Sequence, residues 1–244
     1  MQASKKLFLG ITGSVASIKL PELLFEADNQ GFETVWHPTE SAKQFVCKAI
    51  IRVLGLMPNS PPLSNAISQT REAAERLTKK EFVEIRPLLD QALACIDETS
   101  QHFPHKAIKL MNHGYEDGVD TQGVMREDKG YVKHINLAEQ SDIALIAPTT
   151  ANTLAKIVHG QTDNFLTEVV RALPPEKQIH LALAMNTEML KDPATQRNLS
   201  IAQSEAFGFN QKYHVIAPIS KELQCGTTGL GAMEDPHKIF QIIS

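Results

Sequence analysis

Residues 142–158 read DIALIAPTTANTLAKIV, and the fold is decided here. Ile143 to Ala147 is an unbroken apolar run bounded by Asp142 and Pro148, as a strand covered on both faces of a parallel sheet requires. Helical patterns are expected directly after it, over about 151–159 and 163–173. A buried strand feeding a helix is half of a strand–helix–strand crossover, so the same unit should recur along the chain. Lys6 to Ile11 (KLFLGI) reads as the first buried strand, followed by Thr12-Gly13-Ser14 and a helix that Ser14 caps. Ile18, Leu23, Leu24 and Ala27 face that helix toward the core, Pro21 is expected to kink it, and Gly31 to close it. Phe32 to His37 alternates as a second strand and turns through Pro38–Ser41 into a helix carrying Ala42, Phe45 and Val46. Ile179 to Met185 and His214 to Ile219 read as two further strands, with a helix near 193–206 between them. The implied architecture is α/β: a doubly wound parallel sheet, a Rossmann-like or flavodoxin-like three-layer sandwich, forming one domain over 1–244.

The stretch 58–130 breaks this rhythm. It opens on PNSPP and holds a helical stripe over 81–97 (Phe82, Ile85, Leu89, Ala92, Ile96). It ends in the polar run HGYEDGVDTQGVMREDKG. It reads as a helical insertion whose apolar stripe docks on the sheet or on a neighbouring subunit, with the polar run as a mobile loop.

Composition excludes several classes. With 244 residues, 42% of them hydrophobic, the chain can build its own core. A net charge of −4, with the basic residues scattered, does not describe a nucleic-acid binder. No apolar run approaches the roughly 20 residues that span a bilayer, so no membrane partner is expected. Cys47, Cys95 and Cys225 form no C-x-x-C pair, which suggests free thiols in a reducing, cytoplasmic setting, Cys47 and Cys95 as core residues. His102, His105 and His113 lack metal-ligand spacing, and no metal is expected.

Ligands of open parallel sheets bind beyond the carboxyl ends of the strands. Three such ends here carry hydroxyls: Thr12-Gly13-Ser14, Thr39-Glu40-Ser41 and Pro148-Thr149-Thr150-Ala151-Asn152-Thr153. Hydroxyls and free amides at helix starts suit a phosphate-bearing cofactor, although each could equally be a plain N-cap. The P-loop pattern and the G-x-G-x-x-G spacing are both absent, which speaks against an NTPase and an ordinary NAD fold.

GITGSVASIK (10–19), TESAKQF (39–45), HINL (134–137), APTTANTLAKIVHGQTDNFLT (147–167), AMNTEM (184–189) and CGTTGLGAM (225–233) occur in order. Together they resemble the flavin-containing cysteine decarboxylases, over roughly 5–57 and 131–242. The resemblance implies FMN as cofactor, with phosphate contacts near Gly13, Ser14, Val15, Thr39 and Ser41. Phe45, Thr150, Ala151, Asn152, Thr153 and Ala184 would line the flavin, Thr150 standing where the family motif has serine. His134 would be the catalytic acid or base. Asn186, with Met185, Leu223 and Gln224, would hold the substrate, Asn186 on its carboxylate. In such enzymes oxidation of a cysteine thiol to a thioaldehyde creates a C=S electron sink, and CO₂ then leaves to give an enethiolate.

Cys225 heads a glycine-rich loop and matches the proton donor of the branch that reduces the enethiol again. The resemblance thus implies decarboxylation of 4′-phosphopantothenoyl-cysteine to 4′-phosphopantetheine, in coenzyme A biosynthesis, by a homotrimer or a multiple of trimers. Leu183 and Leu190 stand where the family has proline and tryptophan, which keeps open a peptidyl-cysteine substrate. A non-catalytic subunit regulating a phosphatase is the reading from a different class.

Overall fold

The computed structural model describes residues 4–57, 60–81, 83–117, 132–205, 212–222 and 228–244. Its centre is a five-stranded parallel sheet in the order β2-β1-β3-β4-β5. The strands are β1 (Lys6–Ile11), β2 (Glu33–Pro38), β3 (Ile143–Thr149), β4 (Gln178–Leu183) and β5 (Tyr213–Ile216). All seven residues of β3 are buried, as its apolar run requires of a strand covered on both faces. The first crossover runs from β1 through a 3₁₀ turn (Val15–Lys19) and helix α1 (Leu20–Asn29) to β2. Pro21 does not kink this helix. It sits in the first turn of α1, where a missing N–H costs nothing and the fixed φ favours the start of a helix.

One face of the sheet is covered by α1, by α2 (Lys43–Leu54) and by helices drawn from the stretch expected to be an insertion. These are α3 (Pro61–Thr78), α4 (Ile85–Leu93) and α5 (Phe103–Gly114). Leu63, Ala66, Ile85, Leu89, Ala107, Ile108 and Met111 belong to the same buried cluster as Leu7, Leu9 and Trp36 of the sheet. The stretch therefore packs through three helices rather than one, α5 on α1 and β2, α3 on α2, and α4 against α2 and α5, and the helix expected over 81–97 is shorter. α4 starts at Ile85, and Cys95 and Ile96 follow it in a turn, partly buried. Phe82 and residues 118–131, which include most of the polar run, lie outside the described residues.

The other face is covered by α6 (Lys133–Gln140), α7 (Ala151–Val158), α8 (Phe165–Ala172) and α10 (Pro193–Ala202), packed on Phe8, Ala144, Ile146, Ile179 and Leu181. A short α9 (Thr187–Lys191) follows β4. The segment expected to run as one strand from His214 to Ile219 is divided. β5 ends at Ile216, and Ile219–Glu222 (β6) pairs antiparallel with Thr228–Ala232 (β7) in a separate hairpin. Pro218 separates the two, since proline cannot donate to a ladder. A last helix, α11 (Pro236–Ile243), buries Ile239, Phe240 and Ile243 against the α1 side.

Outside β2 the chain adds one more parallel contact. Tyr115 bridges Trp36, Glu116 N–H donates to Trp36 O at 2.9 Å, and the indole Nε1 donates to Met111 O at 2.9 Å. Arg86 donates to Asn112 O and Tyr115 O and stacks 4.8 Å from the Tyr115 ring. Cys47 is fully buried, as expected of a core thiol, and burial pushes its pKa up to about 12.

Candidate functional site at the carboxyl edge of the sheet

A cavity of about 620 Å³ opens beyond the carboxyl ends of β1, β3 and β4. That volume lies within the range of small-molecule and cofactor pockets. Gly13, Ser14, Thr39, Ser41, Thr150, Asn152, Thr153, Ala184, Met185 and Asn186 line it, which brings together ten of the residues singled out in the sequence.

Five helical N-cap positions converge on this wall. Ser14 Oγ accepts from Ala16 N–H at 3.3 Å, and Thr39 precedes the 3₁₀ turn Glu40–Ala42 without a side-chain bond to it. Thr150 Oγ1 accepts from Thr153 N–H at 3.3 Å and starts α7. Asn164 Oδ1 accepts from Thr167 N–H at 3.1 Å and starts α8, while Asn186 Oδ1 accepts from Met189 N–H at 2.7 Å and starts α9. The capping reading therefore holds for Ser14, Thr150 and Asn186, and it does not exclude a ligand. Each cap position marks an end where backbone N–H groups are free and the helix dipole is positive, so together they favour an anion.

Backbone must come close here. A Cβ on Gly13 would lie 2.4 Å from Ser41 Oγ, so the turn after β1 has room only for glycine. On the opposite wall Gly231, with φ of +153°, places its backbone against the 185–186 turn. Met185 N–H donates to Gly231 O at 3.0 Å, and a Cβ there would stand 2.0 Å from Met185 O. Thr187 Oγ1 adds a bond to Leu230 O at 2.8 Å. The β6–β7 hairpin thus holds the turn that presents Asn186. Because Asn186 Oδ1 is committed to its cap, its Nδ2 donors are the end left for a ligand's acceptor.

Lys156 and Asp163 also line the cavity, paired at 2.5 Å, with Glu40, Asn164 and Met189. These five escaped the sequence reading. Lys156 is four residues after Asn152 on α7, so helical spacing could have placed it on the same wall. The Lys156 ammonium holds the Asp163 carboxyl below the usual carboxylate range, chiefly through their hydrogen bond.

Other expected residues fall elsewhere. Val15 is 40% exposed beside the cavity, and Phe45 on α2 and Ala151 on α7 are half-buried away from its wall. His134 is on α6 and does not line the cavity. Its Nδ1 lies 3.5 Å from Glu168 Oε2 on α8, one turn beyond Asn164. Leu223, Gln224 and Cys225 lie outside the described residues, between the two strands of the hairpin. Among the described residues there is no cluster able to hold a metal ion, and no helix is long and apolar enough to cross a membrane.

A doubly wound sheet with this arrangement of caps at its carboxyl edge suits a phosphate-bearing cofactor. The chain belongs to the Flavoprotein family, whose profile matches residues 1–244. A probable phosphopantothenoylcysteine decarboxylase of Streptococcus mutans is 29% identical over 240 residues, covering 98% of this chain and 97% of that protein. A phosphopantothenoylcysteine decarboxylase of Oryza sativa subsp. japonica is 39% identical over 160 residues, 65% of this chain and 66% of the relative. A probable phosphopantothenoylcysteine decarboxylase of Arabidopsis thaliana is 43% identical over 112 residues, so the match spans about half of each (46% and 53%). Among solved structures, a cysteine-to-serine mutant of PPC decarboxylase complexed with pantothenoylaminoethenethiol superposes with a TM-score of 0.63 at 24% identity, covering 99% of this chain and 97% of the other. The FMN-binding protein AtHal3 superposes at 0.61 and 24%, covering 99% and 95%. These two likenesses bear on the fold. The family, together with relatives named as decarboxylases, marks the chain as an FMN-dependent carboxy-lyase.

Proposed function

We propose that the cavity holds FMN and that the protein decarboxylates 4′-phosphopantothenoyl-cysteine to 4′-phosphopantetheine, a step of coenzyme A biosynthesis. The observation that carries this reading is the meeting of five N-cap positions on one wall, a setting made for the phosphate of a mononucleotide. Ser14, Thr39 and Ser41 would hold the phosphate, with Gly13 admitting it closely. Thr150, Asn152, Thr153 and Ala184 would border the ring. When bound, FMN supplies the two-electron oxidation of the substrate thiol that makes loss of CO₂ feasible.

The chain's own residues then have separate tasks. Asn186 Nδ2 donates to the substrate carboxylate, and Met185 closes the apolar side beside it. His134 exchanges the proton of the substrate thiol. Cys225 returns a proton when the enethiol is reduced. His134 stands off the cavity wall, next to Ile135, which is 43% exposed, while Met189 on the wall is 47% exposed and Val15 beside it 40%. We read these apolar side chains as a contact between copies in a homotrimer, through which His134 reaches the site of a neighbouring subunit.

The test is turnover. Protein loaded with FMN is given phosphopantothenoylcysteine, and CO₂ and product mass are followed; His134→Gln should stop CO₂ release with FMN still bound, and Cys225→Ser should stop after CO₂ loss. Release of CO₂ from a C-terminal peptidyl cysteine but not from phosphopantothenoylcysteine would refute the substrate. Failure to take up FMN would refute the whole reading.

A further inference from the structure

Glu168 has no task in the reaction given above, yet it is paired with His134. His134 on α6 and Glu168 on α8 face each other at 3.5 Å, Nδ1 to Oε2, with side chains only 20% and 17% exposed. Nδ1 is buried and makes no hydrogen bond among the described residues. A buried ring nitrogen left unpaired costs about 1–3 kcal/mol, so an acceptor just beyond hydrogen-bond range is where it should turn.

Glu168 is not a loose surface carboxylate. α8 begins in a capping box: Asn164 Oδ1 accepts from Thr167 N–H at 3.1 Å, and Thr167 Oγ1 accepts from Asn164 N–H at 3.3 Å. Phe165, Leu166, Val169 and Val170 bury the same helix in the core, which fixes its rotation about its axis. Glu168 is therefore aimed at α6 by the same turn that places Asn164 on the cavity wall.

We propose that Glu168 is the positioning residue of His134: it holds Nδ1 as the protonated nitrogen, fixes the ring plane, and leaves Nε2 with the lone pair that meets the substrate. This rests on the reading of His134 given above. A histidine's two nitrogens are distinct, and the partner of one decides the state of the other. When Nε2 takes the thiol proton, the imidazolium so formed is balanced by the carboxylate and the thiolate keeps its electron pair. Supporting partners of this sort typically change activity by about 10–100-fold.

The experiment uses the FMN-loaded full chain with ¹⁵N-labelled histidine, the His134 resonances being identified by their loss in His134→Gln. Wild-type protein should show His134 protonated at Nδ1. Glu168→Gln should lower kcat by about 10–100-fold while leaving KM and bound FMN essentially unchanged, and should populate the Nε2–H tautomer. Glu168→Asp, which keeps the charge, should recover part of the lost kcat. Normal kcat and an unaltered tautomer in Glu168→Gln, beside an inactive His134→Gln, would overturn this proposal alone. Normal turnover by His134→Gln would overturn it together with the role given to the histidine.

Discussion

The carboxyl edge of the sheet and the helical layer formed by α3, α4 and α5 are built from opposite materials. At the edge, short polar side chains spend their oxygens on helix caps, and the wall they leave is backbone amide and hydroxyl. In the layer, Leu63, Ala66, Leu89, Ala92, Ala107 and Met111 are buried against one another and against α2 and the sheet. The first region fixes what can bind and the second fixes only that the fold holds. Mutations in the two should therefore separate binding from stability.

The largest effect is expected in the layer. Met111→Ala should destabilise by about 2–5 kcal/mol in chemical denaturation, while the FMN bound per folded molecule stays the same. Loss of FMN in step with the loss of stability would break the comparison. A second effect belongs to neither region. His180 on β4 is 5% exposed, stacked on His214 of β5 with ring centroids 5.0 Å apart. Burial, aided by the neighbouring His214, lowers its pKa from 6.5 to about 4. The unfolded chain binds this proton first, so stability is complete above about pH 6.5 and falls as pH drops from there toward 4. The total loss is about 3 kcal/mol, at 1.36 kcal/mol per pH unit, and His180→Phe should flatten it in a pH series of denaturation midpoints.

At the edge the signs reverse. Gly13→Ala should weaken FMN about tenfold, roughly 1.4 kcal/mol, because its Cβ would crowd Ser41 Oγ. Fluorescence titration reads this, and because the added Cβ would also stand 2.7 Å from Ser41 Cβ, the apoprotein should lose some thermal stability as well. Thr150→Val, the smallest change, removes one cap at about 1 kcal/mol of stability and weakens FMN in the same measurement. Wild-type affinity in both variants would remove the edge from the phosphate site.

The sequence made the sheet legible because β1, β3 and β4 are apolar runs that end abruptly in Thr, Ser, Asn and Gly, a signal carried by local chemistry. Misreadings came where one pattern serves two structures. Pro61 and Pro62, which suggested a break, are the first residues of an 18-residue helix. The capping side chains could be named from their types, but their meeting depends on contacts between β1 and β3, 136 residues apart in Thr12 Oγ1 to Pro148 O at 2.7 Å. The pairing of His134 with Glu168 depends likewise on how α6 lies on α8, and no spacing in the chain announces it.

The bridge between Trp36 and Tyr115 also bears on how the protein behaves in a crowded solution. With Tyr115 and Glu116 laid along β2 and Arg86 clamped across them, that border of the sheet offers no run of free amides on which a stray chain could template itself. Edge-to-edge aggregation is thereby turned away from this side, and among the described residues β5 is the border that solubility has to guard.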